Sequence, residues 1–190
     1  MAFPVNITEI ISSGLITQYT DTFLYTLNDL KNACQGLDEL RLKQLLGMSP
    51  EIIINGIIEV YVNASEIFRP CADPSIYDSE CELSVMLIND DAGLGPCPWY
   101  CGENTEEKLS KLVTVKEEQF DWMCERWEIS FGNEELYSNR PWTGLGYTYN
   151  WASDTHFGVN EFAVLAFTEV EVVEKFTVEE YCQNFENTES

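Results

Sequence analysis

The chain has 190 residues, 33 of them acidic and 10 basic, for a formal net charge of -23. That is enough chain to bury a core, with 45% apolar and 13% aromatic residues, and too strong a negative field to favour nucleic acid or anionic lipid. No run of about 18 apolar residues marks a membrane span, and the N-terminal stretch, with Glu9 and no basic start, does not read as a signal peptide. The expectation is therefore one domain over 1–190 with a loop insertion at 89–104, placed in the cytoplasm or exported without a classical leader. The sequons at Asn6 and Asn63 carry little weight without an export signal.

In chain order, Phe23, Leu24, Leu27 and Leu30 fall at helical spacing and predict a helix from about 20 to 33. A second helix is expected over 37–46, with Gly47 as its stop and Pro50 forbidding continuation. The β-branched run 57–62 reads as a strand after an Asn55-Gly56 turn. Residues 89–104 are crowded with turn formers. Thr105, Glu106 and Glu107 look like a helix start, and an apolar stripe through Leu109, Leu112, Val113, Phe120, Met123 and Trp127 extends that helix to about 127. A loop is expected over 132–139. Strands are then expected over 146–151, 161–167 and 170–176, with turns at 153–158 and 168–169. Helices in the first two thirds packed on a compact, mainly antiparallel sheet completed by the C-terminal strands make the class α+β.

Cys97 and Cys101 form a C-x3-C pair that a disulfide could close. The second close pair or His pair that a zinc tetrahedron needs is missing, so no metal is expected. The seven cysteines, odd in number and irregular in spacing, read as reduced thiols, several of them buried. His156, the one histidine, sits in a polar turn and reads as solvated rather than as a catalytic base. No G-x-S-x-G, Walker loop or Gly-rich dinucleotide fingerprint is present.

Two features remain. Arg69, in Phe68-Arg69-Pro70 after the first long strand, could fork onto a phosphate or carboxylate, or pair with one of the chain's own acids. The run 141–151 puts Tyr147, Tyr149 and Trp151 at alternate positions, with Trp142 and several glycines before them and Glu161 opening the next apolar strand. Aromatics flanking small residues suit a flat ring, and a carboxylate at the mouth of such a cleft can steer a hydroxyl or stabilise a cationic sugar. A hydrophobic sheet face with an exposed Glu fits the same spacing.

The segments 160–165 and 170–173 resemble mono-ADP-ribosyltransferases, in which a glutamate opens an apolar strand and a second strand follows a tight turn. The resemblance covers about a third of the chain. It implies NAD as substrate and Glu161 as the catalytic carboxylate, with Arg69, Thr148, Tyr147, Tyr149 and Trp142 around the cofactor. A fixed carboxylate would stabilise the oxocarbenium-like transition state more than the ground state. Glu169 and Glu171 form an alternative acidic pair, and Arg140 an alternative cation. The expected role is an effector or phage-encoded modifier acting on a protein target with a basic surface. The other reading is a non-catalytic acidic inhibitor that mimics nucleic acid and blocks a basic site.

Overall fold

A computed structural model of the chain describes residues 1–5, 14–18, 22–71, 76, 81, 85–87, 113–115, 117–131 and 141–183. The largest sheet is built from β1 (Ala2–Val5), β4 (Gly56–Tyr61), β10 (Glu169–Thr177) and β2 (Gly14–Thr17), side by side in that order and antiparallel throughout. β4 is central, and its continuous apolar run is covered on both faces. Its one acid, Glu59, is paired with Lys31 at 2.7 Å. In β10 the alternation places Val170 and Val172 in the core and Glu169 and Glu171 outside. A bulge between Val172 and Glu174 then shifts the register, so Glu174 lies opposite Glu59 and Phe176 opposite Ile57.

One face of this sheet (Phe3, Ile58, Val60, Val170 and Val172) packs on Leu24, Phe162 and Val164 of a two-stranded ribbon. That ribbon pairs β3 (Thr22–Leu24) with β9 (Phe162–Val164). Ile57 and Phe176 meet the helical side: α1 (Leu27–Cys34), α2 (Glu39–Leu45) and the one-turn α4 (Val178–Tyr181). The class is α+β, as expected.

The element boundaries are set by caps. The helix expected from 20 starts at Leu27, because Thr26 caps it by accepting from the Asp29 N–H at 3.3 Å. Phe23 and Leu24 are instead extended and paired with β9, which sends adjacent apolar side chains to opposite sides. α2 is capped by Asp38, which accepts from the Arg41 N–H at 2.8 Å. Its expected stop at Gly47 is present. With φ at +68°, the Gly47 N–H reaches Gln44 O at 3.4 Å and the Met48 N–H reaches Lys43 O at 2.9 Å, which is the Schellman pattern.

The helix expected from 105 begins later. Val113–Val115 form β6, parallel to β5 (Val85–Leu87), and α3 runs over Glu117–Phe131. Val-Thr-Val is β-branched and stiff, which favours the strand. Residues 105–112 and the expected loops at 89–104 and 132–139 lie outside the described residues. The turn expected over 153–158 is shorter: β7 (Tyr147–Tyr149) pairs with β8 (Phe157–Asn160).

The reading of the cysteines as reduced thiols is corrected. Cys34 is bonded to Cys182, tying α1 to the end of α4, and Cys71 is bonded to Cys81, with Cα–Cα distances of 5.2 and 5.9 Å. Cys124 is also disulfide-bonded. Spacing along the chain gives no sign of such pairs because the fold, not the sequence interval, brings the Cβ atoms together. Cys97 and Cys101 lie outside the described residues. Among the described residues no helix is long and apolar enough to cross a membrane.

Candidate active site

Glu161 lies at the break between β8 and β9, where its N–H donates to Gly146 O at 2.8 Å. Alternation through the break sends Phe162 to the sheet core and Glu161 the other way, into a cavity of about 220 Å³. Arg126 and Trp142 supply polar groups beside Glu161, and Phe23 and Tyr25 form an aromatic wall. The turn after α2, with Leu46 and Met48, closes another side. Behind the wall Trp122 makes edge-on contacts with Phe23, Phe68 and Trp142 at centroid distances of 5.7, 5.1 and 5.9 Å, which hold the rings in place.

Glu161 is 5% exposed, and its Oε2 is buried with no hydrogen-bond partner among the described residues. Burial pushes its pKa up to about 7, against the Arg126 guanidinium and then the Trp142 indole N–H, which both favour the ionised form. Burial, followed by the neighbouring Glu161 charge, holds the Tyr25 hydroxyl well above its ordinary value, so Tyr25 stays neutral. The Arg126 guanidinium stands 4.9 Å from the Phe23 ring centroid. A carboxyl that titrates near neutral pH in an aromatic cavity can either give or take a proton there.

Of the residues expected at a site, Glu161 and Trp142 share this cavity. Arg69, Thr148, Tyr147 and Tyr149 do not line it. Arg69 is buried with its guanidinium 5.9 Å from the Phe162 ring, on the sheet side of the strand. Its stem fills the space over Gly146, where an added Cβ would come within 2.7 Å of Cδ. The Thr148 hydroxyl is committed to the fold: it donates to Leu45 O at 2.7 Å and accepts from the Val159 N–H at 3.0 Å.

Tyr147 packs on Phe157 at 4.8 Å, and Tyr149 stacks on His156 at 4.8 Å and 13°. Glu169 and Glu171 point outward from β10, and Arg140 lies outside the described residues.

The chain matches no family model, no curated protein and no solved structure. Among the described residues no group of three or more His, Cys, Asp or Glu could hold a metal ion.

The cation beside Glu161, Arg126, is the residue the sequence reading passed over. A usable signal exists: Arg126 lies four residues after Trp122 and three after Met123, on the apolar stripe of α3, in a chain with 10 basic residues.

Proposed function

We propose that the chain is an NAD-dependent mono-ADP-ribosyltransferase whose catalytic carboxylate is Glu161. Arg126 takes the anion-holding part that the family resemblance assigns to Arg69. One observation carries this reading: a buried carboxyl with an unbonded oxygen stands beside a guanidinium in an aromatic-walled cavity. A ligand site for a whole cofactor is usually about 300–1,000 Å³. A cavity of about 220 Å³ therefore takes one ring of NAD, with the remainder over the surface. Ionised Glu161 would stabilise the positive charge that develops on the ribose as the nicotinamide leaves.

Purified protein should transfer labelled ADP-ribose from NAD to a protein acceptor, and more strongly as pH rises through about 7, where Glu161 ionises. Glu161→Ala should abolish transfer. Absence of both transfer and calorimetric NAD binding sinks the reading.

One observation favours the acidic-inhibitor alternative. Glu169, Glu171 and Glu174 are exposed along β10, and by register with Tyr61 and Glu59 the last two share a face. Glu179 and Glu180 continue the acidic run on α4. Salt-sensitive binding to a basic protein, lost on changing the three β10 glutamates to glutamine and kept in Glu161→Ala, would select this alternative.

A further inference from the structure

We infer that the outer face of the β7–β8 hairpin is a docking surface for an arginine-bearing basic segment of a partner protein, with the rings of Trp151 and Phe157 receiving the guanidinium. Thr148 turns inward from β7 to bond with Leu45 O, so its neighbours Tyr147 and Tyr149 turn outward. Across the hairpin, Phe157 lies opposite Tyr149 and packs on Tyr147 at 4.8 Å. Trp151 meets Tyr149 edge-on at 5.8 Å, and His156 stacks on Tyr149 at 13°. These rings form one patch, in which Phe157 is 60% and Trp151 39% exposed, and they do not line the Glu161 cavity.

The patch is held ready for a partner. The Asn150 N–H donates to His156 O, the His156 N–H to Ser153 O and the Trp151 N–H to Gln44 O, each at 3.0 Å. His156 has φ of +59°, a left-handed conformation that residues other than glycine adopt at a cost, and there its ring lies against Tyr149. A rigid aromatic face loses little freedom on binding.

Charge selects the partner. Residues 147–160 contain no Lys or Arg, Asp154 is exposed in the turn, and Asp29 of α1 accepts from the Asn160 side chain at 3.0 Å. With a net charge of -23 behind them, the rings lie in a field that draws cations, and a ring face itself attracts one. A guanidinium suits them better than an ammonium because it is flat, weakly hydrated and stacks. The described cation–ring contacts within the chain are made to Phe23, Phe162, Phe176 and Tyr181, none of them a ring of this hairpin.

A neutral glycan would need side-chain hydrogen-bond groups beside the rings. Here Asn160 is bonded to Asp29, Asn150 Oδ1 accepts from the Ala152 N–H, and the Ser153 and Thr155 hydroxyls bond to each other. A second copy of the chain would bring an equal negative charge. Both strands of the hairpin lead out of the candidate active site, since β7 follows Trp142 and β8 ends one residue before Glu161. A basic target docked here would therefore stand beside the carboxyl; that role rests on the transferase reading, whereas the binding itself does not.

Hexa-arginine, hexalysine and the neutral sugar maltohexaose are the probes, titrated into the whole chain at physiological salt and followed by tryptophan fluorescence and calorimetry. Hexa-arginine should bind about fivefold more tightly than hexalysine, the factor expected for stacking on exposed rings. Trp151→Ser combined with Phe157→Ser, both at exposed positions, should bring hexa-arginine down to the hexalysine level. Changing Glu169, Glu171 and Glu174 to glutamine should leave the ratio of the two peptides unchanged. Equal binding of the two peptides to the unaltered protein, or a preference kept in the double variant, overturns the proposal. Maltohexaose binding that the double variant loses, or a dimer in sedimentation that it abolishes, overturns it too, by giving the patch to a glycan or to a second copy. Because no NAD is used, failure of ADP-ribosyl transfer and failure of this docking are separable results.

Discussion

Glu161 is a carboxyl taken out of water with an oxygen left unbonded, so its free energy depends on whether it carries a proton. Its pKa of about 7 in the folded chain lies above the ordinary glutamate value of 4.5. The folded state therefore binds the proton more tightly, and the ionisation of Glu161 takes nothing from stability below about pH 4.5. As pH rises from there to about 7, the unfolded chain ionises first and stability falls, to a total of roughly 3 kcal/mol above pH 7. Glu161→Gln should remove that slope: the difference in urea-unfolding free energy between variant and parent should grow in the variant's favour from pH 5 to pH 7.5. Parallel pH profiles for the two proteins would mean that the carboxyl is not buried as described. Comparing the pair cancels the general effect of the other acids.

At the scale of elements, the β7–β8 hairpin is tied to the end of α2 by the Thr148 hydroxyl and by the Trp151 N–H, which donates to Gln44 O at 3.0 Å. Gly158 is small because a Cβ there would meet Thr148 Oγ1 at 1.9 Å and Leu45 O at 2.6 Å. Thr148→Val keeps the shape and removes both hydrogen bonds, leaving the buried Leu45 carbonyl and Val159 N–H without that partner. It should cost about 2 kcal/mol of stability, measured by denaturant unfolding, while leaving ligand binding at the Glu161 cavity within about twofold. A Thr148→Val protein of full stability that has lost NAD binding would return Thr148 to the place beside the cofactor that the resemblance implies.

The elements also divide what sequence periodicity could find from what it could not. The stop of α2 at Gly47 and the alternation of β10 are local, and both were legible. The start of α1 was not, because Phe23 and Leu24 fit a helical stripe until pairing with β9 claims them.

For the molecule as a whole, the bond between Cys34 and Cys182 closes a sequence separation of 148 residues and holds the C-terminal helix α4 against α1. In the chain-entropy account, a loop of that length constrains the unfolded chain by about 4–5 kcal/mol. The paired change of Cys34 and Cys182 to alanine should therefore lower the urea midpoint by a few kcal/mol equivalent under oxidising conditions and do little under reducing ones. A double variant as stable as its parent in both would mean that the two thiols are not bridged in solution.

What the amino-acid sequence determined by itself is what neighbouring residues decide. That includes the α+β class, the stop of α2 at Gly47 and the strand formed by the β-branched run after Gly56. Tertiary structure alone decided the partners. Arg126 rather than Arg69 faces Glu161, Thr148 bonds to the backbone of α2, and Cys34 meets Cys182. The reason is physical: periodicity reports which way a side chain points from its own element, whereas charge pairing, burial and disulfide reach depend on distances across the fold that sequence separation does not encode.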